Sequence, residues 1–481
     1  MKTKIILFLL LLSTITSYAQ DCNCETNFEW VKKTFEENDA GFKYVLETKG
    51  EKAYESHNAL FLEKVKSINT LSDCTPILYK WMEFFRSGHI AIRLNTKEVK
   101  QTTVVTPKTY DDWETLVVNQ SQFEAQLKKK KEADLEGIWE TKPYKIGIKK
   151  VGENYIGFII ETEAVEWKKG QVKVKIYTEN NSQKAKFYFR DHSEELCNSV
   201  QLIGKNYLKI GRFFLNRLSP NFDEDKNIET YYSSVSIQKP YSKELDKNTI
   251  LLRIPSFDQR YKRAIDSVIL SIKPRLLSTE NLILDLRNNG GGSDGSFEEI
   301  IPLLYTNPIR TVGVEFLSTK QNNQRMLDFI NKPEYGMDDD DKKWAKESYD
   351  KLSAKLGEFV NLRENIVSEK KLDTITEFPK KVGIIINENC GSTTEQFLLA
   401  AKQSKKVKLF GTTTDGVLDI SNMYFVESPC KEFTLGYCLS RSMRIPEMTI
   451  DEKGIQPDYY IDKNIPHYDW ISFVTKILNE K

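Results

Sequence analysis

Ser392 lies at a junction of elements that could make a serine hydroxyl reactive. The stretch KVGIIINENC predicts a buried strand that ends in a tight turn, and the residues from Thr393 onward have the pattern of a helix. A serine at the start of a helix lies where free backbone N–H groups and the positive end of the helix dipole converge. The Thr393 N–H could then donate to the oxyanion that forms when the hydroxyl attacks a carbonyl. Ser392 followed by Glu395 is also the spacing of a capping box, so this motif alone leaves both roles open.

A run of glycines follows a second buried strand, in LILDLRNNGGG at Leu282 to Gly292. Glycines let the backbone turn sharply and expose its amides at the carboxyl edge of a parallel sheet, where such folds bind ligands. Gly290 and Gly291 are therefore candidates for a second oxyanion donor, and a flexible turn is the alternative. The run is not a phosphate-binding loop, because the GK[ST] ending is missing.

In combination, these motifs resemble those of the C-terminal-processing, or tail-specific, serine peptidases, which include the tricorn core. Two further matches are the turn GTTTDG at residues 411–416 and EKGIQPD at residues 452–458, which is similar to the closing motif of the family. The resemblance covers residues 250–461. It implies a crotonase-like α/β sheet for this part of the chain and identifies Ser392 with the nucleophile of the family.

The general base departs from one family pattern. Members with a Ser-Lys dyad carry the lysine directly after the turn glycine, where this chain has Val417, which cannot accept a proton. Tricorn-like members instead use a histidine from an upstream region, and His89 in SGHIAI stands at that place. The resemblance thus implies His89 as the base, and an imidazole suits this role because its pKa lies near neutrality. The other three histidines, His57, His192 and His467, are predicted at the surface.

The resemblance also implies a third group that orients the imidazole. In tricorn-like members a serine beside the histidine and an acidic residue near the closing glycine motif have this role. Their counterparts here are Ser87, displaced by Gly88, and either Asp451 or Glu452. Surface roles for these three side chains remain open.

The elements that must position these residues predict a multidomain α+β chain. Apolar residues recur at helical spacing near the N-terminus, alternate in strands over the middle of the chain, and then follow a βαβ order. We expect a signal peptide (1–19), an N-terminal helical bundle that supplies His89 (20–96), a linker (97–133), a small antiparallel β-domain (134–220) and an α/β peptidase core (221–481) with a helical insertion at about 321–370.

The N-terminus has the order of a secretory signal peptide. MKTK precedes the apolar run IILFLLLL, and the small residues around Ala19 predict a mature start near Gln20. No later stretch reaches the roughly 20 apolar residues of a membrane helix. We therefore expect an exported protein, periplasmic or extracellular, with no transmembrane segment after cleavage.

Export permits disulfides among the seven cysteines. The odd number leaves at least one thiol without an intramolecular partner. Cys430 and Cys438 flank a predicted hairpin and form one candidate pair. Cys22 or Cys24 with Cys74 is another.

Charge narrows the choice of partners. Loss of Lys2 and Lys4 with the leader changes the net charge from +1 to about −1, so the sequence offers no electrostatic case for nucleic acid. We expect a serine peptidase that cleaves polypeptides through an acyl-enzyme on Ser392, without a metal or organic cofactor. The alternatives are a catalytically inactive relative that binds peptides or small hydrophobic ligands and a crotonase-like acyl-CoA enzyme. The sequence does not predict the oligomeric state.

Overall fold

The structure, a computed structural model, describes residues 22–95 and 110–480. The predicted signal peptide and residues 97–109 of the predicted linker lie outside this part of the chain. The described residues form two compact units. The first unit contains residues 22–95, 310–369 and 416–454, and the second contains residues 110–309, 370–415 and 455–480.

Four helices open the described chain, nine consecutive strands follow α5, and helices and strands are mixed from α6 onward. The helices are α1 (Cys24–Asn38), α2 (Phe42–Lys49), α3 (Glu51–Lys66), α4 (Leu71–Met82), α5 (Gln120–Leu127), α6 (Lys226–Ser236), α7 (Lys262–Leu276), α8 (Ile301–Leu304), α9 (Lys320–Asn331), α10 (Asp339–Ser353), α11 (Thr393–Ala401) and α12 (Trp470–Asn479). The strands are β1 (Ala91–Leu94), β2 (Gly137–Thr141), β3 (Tyr144–Val151), β4 (Asn154–Thr162), β5 (Val172–Glu179), β6 (Ser182–Tyr188), β7 (Glu194–Cys197), β8 (Val200–Ile203), β9 (Tyr207–Ile210), β10 (Phe213–Ser219), β11 (Tyr241–Asp246), β12 (Thr249–Arg253), β13 (Asn281–Asp285), β14 (Ile309–Val312), β15 (Val314–Leu317), β16 (Phe359–Asn361), β17 (Val367–Lys370), β18 (Lys381–Ile386), β19 (Val407–Gly411), β20 (Ile420–Glu427), β21 (Phe433–Ser442) and β22 (Tyr459–Tyr460).

The first unit begins with helices α1–α4, in the segment where apolar residues recur at helical spacing. The apolar residues that this spacing places inside include Val31, Phe35, Leu78 and Trp81, which are fully buried. Leu60 of α3 does not lie on this buried face, because it is 53% exposed. Its neighbour Phe61 takes the inward position, and adjacent helical residues point about 100° apart.

An antiparallel sheet completes the first unit. Its strand order is β1-β21-β15-β16, and β20 pairs with β21. Strand β1 pairs along β21 from Ala91 opposite Gly436 to Leu94 opposite Phe433. This register fixes the chain just after His89. Helices α9 and α10 lie in the predicted insertion, and they belong to this same unit.

A six-stranded sheet in the second unit carries the predicted βαβ pattern. Its order is β11-β12-β13-β18-β19-β22, in which β12 to β22 run parallel and β11 is antiparallel. Every residue of β13 is buried, as its continuous apolar run predicted. The carboxyl ends of β13 and β18 are neighbours, so the glycine run and the Ser392 turn begin at the same edge of this sheet.

The second unit also contains an antiparallel sheet of nine strands, in the order β7-β6-β5-β4-β3-β2-β10-β9-β8. The alternation predicted for β3 is confirmed, since Ile146 and Ile148 are fully buried. Helix α5, in the segment predicted to be a polar linker, packs Phe123 and Leu127 against this sheet.

Two disulfides join residues of the first unit. Cys24 pairs with Cys74, as one of the predicted alternatives had it. The predicted pairing of Cys430 with Cys438 is wrong, because Cys430 bonds to Cys22. Cys438 lies in the middle of β21 as a buried free thiol. The hairpin predicted between the two cysteines is also wrong, because residues 433–438 lie within the single strand β21, which pairs with β20.

Candidate active site

Ser392 joins the turn after β18 to helix α11 with a strained backbone. Its φ is 56° and its ψ is −124°. A positive φ is unfavourable for a residue with a Cβ atom and persists only where the surroundings impose it. Strand-to-helix turns of this strained kind are one way in which folds expose a nucleophilic serine. The backbone geometry therefore distinguishes Ser392 from an ordinary helix cap, whose backbone is usually extended.

Glu395 fixes this turn from within the second unit. Its side chain is fully buried, and its Oε2 accepts a hydrogen bond of 3.2 Å from the Ser392 N–H. Its Oε1 accepts a hydrogen bond of 2.6 Å from the hydroxyl of Thr414, which lies in the GTTTDG turn. The Thr414 Oγ1 accepts in turn from the N–H of Ile455, at 2.7 Å. The carboxylate that suggested a capping box thus ties the Ser392 backbone to a second motif of the family.

The glycine run packs directly against the Ser392 turn. Gly291 has a φ of 99°, and a Cβ atom there would lie 2.7 Å from the Thr393 nitrogen and 2.8 Å from Ser392 Cβ. No other residue type fits this position without displacing backbone. The two sequence motifs are therefore in contact at the sheet edge that they share.

The backbone N–H groups around this contact differ in whether they already have a hydrogen-bond acceptor. The Gly291 N–H already donates to Asn289 Oδ1 at 3.0 Å, so this amide is engaged within the turn. Within residues 22–95 and 110–480, no hydrogen-bond acceptor is found for the N–H of Gly290 or of Thr393. Of the three amides proposed from the sequence, Gly290 and Thr393 can donate to an oxyanion.

Asparagines that the sequence analysis did not single out hold the two turns together. Asn289 is fully buried, and its carbonyl accepts from the Gly391 N–H at 3.3 Å and from the Thr394 hydroxyl at 2.8 Å. Asn288 and Asn387 exchange hydrogen bonds of 2.8 Å in both directions. These asparagines directly follow the two buried strands, and this shared placement was the available signal.

His89 lies in the first unit, just before β1. Its Nδ1 is 2.7 Å from the carbonyl oxygen of Ile420. A carbonyl can only accept, so Nδ1 carries the proton and the lone pair of the neutral ring lies on Nε2. Burial lowers the pKa of His89 below 6.5. The hydrogen bond to the Ile420 carbonyl opposes this decrease without cancelling it, and the positive charge of Arg86 lowers the pKa further. The ring is thus held neutral in the tautomer that a general base at Nε2 requires.

A buried ion pair supports the backbone of His89. Arg86 forms two hydrogen bonds with Asp39, of 2.9 and 2.6 Å, and donates a third of 3.1 Å to the His89 carbonyl. Asp39 also accepts from the Cys438 N–H at 3.0 Å, which ties this pair to β21. His89 itself has a φ of 53°, so its backbone is strained and needs such support. Neither Arg86 nor Asp39 was predicted from the sequence.

Val417 lies beside the His89 segment. A Cβ atom on Gly88 would lie 2.6 Å from a Val417 methyl group, so the two residues are in close contact. The position at which dyad members carry lysine is therefore filled by an apolar side chain packed next to the histidine.

The three candidates for orienting the imidazole occupy different surroundings in the first unit. The carboxylate of Asp451 accepts from the N–H groups of Leu418, Asp419 and Ile420, at 2.6, 2.6 and 3.2 Å. Burial raises the pKa of Asp451 to about 6.

Glu452 and Ser87 lie at the surface. Glu452 is exposed and forms an ion pair of 3.7 Å with Lys49. The exposed hydroxyl of Ser87 has no hydrogen-bond partner among the residues that the structure describes.

The other histidines have no such arrangement. His467 is exposed and His57 is half-buried, with Nε2 3.0 Å from the Trp81 carbonyl. The surface position predicted for His192 is wrong, because only 5% of the residue is exposed. Its ring stacks between Trp167 and Tyr110, with centroid distances of 3.8 Å to each. The charged neighbours of His192 in RDHSEE favour a surface position and do not indicate these aromatic partners.

Within the described ranges, no three His, Cys, Asp or Glu side chains come together as a metal site requires. Over the same residues, no helix combines the length and the apolar character needed to cross a bilayer.

Comparison with solved structures identifies the fold. The structure of mature CPAF complexed with lactacystin aligns with a TM-score of 0.51 and 12% identity, over 95% of this chain and 97% of that chain. A mutant of CPAF aligns with a TM-score of 0.50 and 11% identity, over 95% of this chain and 96% of that chain. No curated protein sequence matches the chain.

The family comparison agrees with the motifs. The model of peptidase family S41 matches residues 248–461, which include the six-stranded sheet from β12 onward, the glycine run and Ser392. Polypeptides are thus the substrate class, and the chain has the mixed α+β, multidomain fold of these proteases. Residues 248–461 thus resemble peptidase family S41 over somewhat less than half of the chain, and the protein is a serine peptidase.

Proposed function

We propose that the protein hydrolyses polypeptides through an acyl-enzyme on Ser392, with His89 as general base and then as general acid. The observation that carries the assignment of the nucleophile is the strained backbone of Ser392 at the β18–α11 junction, in contact with the glycine run. The assignment of His89 rests on the tautomer that Ile420 imposes and on the family pattern of an upstream histidine.

In the proposed reaction, the Ser392 Oγ attacks the carbonyl carbon of the scissile bond while His89 Nε2 takes the hydroxyl proton. The oxyanion accepts hydrogen bonds from the N–H groups of Gly290 and Thr393. The C–N bond then breaks as His89 returns the proton to the leaving amine. Water, deprotonated by His89, attacks the ester carbonyl, and the acid product leaves as Ser392 recovers its proton.

Orientation of the imidazole is assigned to a backbone group. The Ile420 carbonyl accepts a hydrogen bond from the Nδ1–H group, which is the role that a carboxylate has in a Ser-His-Asp triad. Asp451 acts one step further away, because it binds the N–H of Ile420 and of the two residues before it. Glu452 and Ser87, which are exposed, are left without a role in the reaction.

We further propose a crotonase-like arrangement for the core around the six-stranded sheet, within the domain boundaries expected from the sequence. We also propose that the protein is exported. The disulfides Cys22–Cys430 and Cys24–Cys74 support this location, since such bonds persist in oxidising compartments. A mature chain isolated after export should begin near Gln20, and intact mass measurement tests this start.

Labelling with a fluorophosphonate tests the nucleophile. The wild-type protein should be labelled and Ser392→Ala should not, because only an activated serine reacts with this reagent. Ser278→Ala, which removes an exposed hydroxyl at the end of α7, is the matched control and should be labelled as strongly as wild type. Equal absence of label in wild type and Ser392→Ala would contradict the proposal and favour an inactive peptide-binding relative.

A further inference from the structure

A pocket lies in the second unit, at the carboxyl edge of the six-stranded sheet. Its volume is about 410 Å³, a size that suits a small organic ligand. The floor is formed by the ends of β12, β13 and β18, and the walls by α6, by β8 and β9, and by the segment before α12. The mechanism proposed above uses none of the charged side chains that line it.

The floor of this pocket carries an excess of buried positive charge. Asp285 is fully buried and accepts two hydrogen bonds from Arg287, of 3.0 and 2.8 Å. Arg253 lies on the other side, 3.9 Å from the same carboxylate, and its side chain is only 4% exposed. Two guanidinium groups thus share one carboxylate. A buried charge without a full counter-charge is costly, so this floor favours an additional anion.

Arg253 also has hydrogen-bonding capacity that the protein does not use. Its Nε donates to the Ser234 carbonyl at 2.9 Å and its Nη1 to the Asp285 carbonyl at 2.9 Å. Its Nη2 has no hydrogen-bond acceptor in the part of the chain that the structure describes. Since Arg253 lines the pocket, this nitrogen is available to a ligand there. Unused donors on a buried guanidinium select an acceptor group, and a negatively charged one most strongly.

The rim of the pocket has the same sign of charge. Lys209 on β9 and Lys463 before α12 add two positive charges, against one carboxylate from Glu388. The four basic and two acidic side chains of the lining leave a net charge of +2. The pocket volume greatly exceeds that of a simple inorganic anion, so the ligand has an organic body.

We propose that this pocket binds an organic carboxylate, with Arg253 Nη2 as its buried anchor and with Lys209 and Lys463 at its rim. A free small acid and the C-terminus of a peptide share this chemistry. The proposal does not depend on Ser392 or on hydrolysis. Binding and catalysis can therefore fail separately in experiments.

Calorimetric titration of the Ser392→Ala protein tests the proposal without turnover. The probes are an N-acetyl tripeptide with a free C-terminus, the same peptide as its C-terminal amide, succinate and inorganic phosphate. We expect the tripeptide acid or succinate to bind, and the amide to bind at least about tenfold more weakly than the acid, since it lacks the charge. Binding of succinate alone identifies a small acid as the ligand, and binding of the tripeptide acid identifies a peptide terminus.

Variants locate the binding site. Arg253→Lys keeps the charge but removes the fork, and it should weaken binding more than about tenfold. Because Arg253 is buried and this variant can misfold, the rim, where Lys209 is half-buried and Lys463 is exposed, supplies an independent test. Lys209→Ala and Lys463→Ala should each weaken binding by about three- to tenfold, whereas Lys408→Ala, an exposed lysine on β19 outside the pocket, should leave it unchanged.

Three results would overturn the proposal. One is the absence of any bound carboxylate at about 10 mM, where even a ligand of millimolar Kd is detected. Another is measurable binding of both the tripeptide acid and its amide with equal affinity. The last is binding of inorganic phosphate together with failure of both carboxylates.

Discussion

Two histidines in different units of this protein, one half-buried and one buried, show what distinguishes a candidate base from a packed ring. His89 has one nitrogen bonded to the Ile420 carbonyl, and its backbone carbonyl is held by Arg86. His192 is 5% exposed, and neither of its ring nitrogens has a hydrogen-bond partner in the described structure. Burial lowers the pKa of both, that of His192 to about 4. Low pKa alone therefore does not identify a catalytic histidine.

The surroundings of His192 explain its state. Lys173, fully buried, lies with its Nζ 3.7 Å from the ring centroid of Tyr144 and 4.0 Å from that of Trp167. Burial lowers the pKa of this lysine to about 7. His192 stacks on the same tryptophan, so an aromatic cluster holds both groups by packing. A fixed tautomer, and not burial, therefore marks the ring that can exchange a proton.

Replacement of the two histidines should have opposite consequences. His89→Ala should lower kcat/KM by about 10⁴-fold, because the serine loses its proton acceptor. His192→Phe keeps the stacking and should leave kcat/KM within about twofold of wild type. Steady-state hydrolysis of an unstructured protein such as casein measures both. Similar losses of kcat/KM in the two variants would contradict different roles for the two histidines. The thermal unfolding of His89→Ala should be unchanged, which is the control for folding.

Removal of Arg86 should break the support of His89. Arg86→Met leaves Asp39 buried without a cation and should lower the free energy of unfolding by about 3 to 5 kcal/mol. Urea unfolding measures this change. The double variant Arg86→Met, Asp39→Leu removes both charges and should recover much of the lost stability. A loss well under 1 kcal/mol in the single variant would show that the pair does not support this region.

Acid should destabilise the wild-type protein partly through His192. The folded state keeps this ring neutral down to about pH 4, whereas the unfolded chain binds a proton below its ordinary pKa of 6.5. Stability from this group is therefore present above pH 6.5 and is lost as the pH falls from 6.5 towards 4. Urea unfolding at pH 7 and pH 5 should show a fall that is smaller in His192→Phe by on the order of 1 kcal/mol. An equal fall in both proteins would mean that His192 titrates normally.

The smallest effect is expected at Glu452. Glu452→Gln removes an exposed ion pair with Lys49 and should change the free energy of unfolding by less than about 0.5 kcal/mol, with kcat/KM unchanged. Asp451→Asn is the matched comparison, because it weakens a carboxylate that binds three backbone amides beside Ile420. It should lower kcat/KM more than Glu452→Gln does. A larger kinetic loss in Glu452→Gln would assign the orienting role to Glu452.

Much of the second unit could be predicted from local patterns. The continuous apolar runs of β13 and β18 predicted buried parallel strands, and the two motifs that follow them are in contact at Gly291. The role of Asn289 could not be predicted in the same way. An asparagine after a strand is common in turns, and only its buried bonds to Gly391 and Thr394 reveal that it links the two motifs.

Errors arose where a contact joins distant parts of the chain. The sequence favours a pair of Cys430 with its neighbour Cys438 across a predicted hairpin, yet the partner of Cys430 is Cys22 at the other end of the chain. His192 was predicted at the surface because its neighbours are charged, yet the turn places its ring on Trp167. In both cases local polarity or spacing was outweighed by packing between elements.

The amino-acid sequence by itself determined the strand-turn-helix around Ser392, the adjoining glycine run and the helical and strand character of most segments. These features depend on local periodicity and on backbone preferences, which neighbouring residues encode. Only the tertiary structure decided that His89 is bonded to Ile420, 331 positions away, and that Arg253 keeps an unused donor in a charged pocket. Such contacts depend on how separate elements fold against one another, and no local pattern in the chain specifies them.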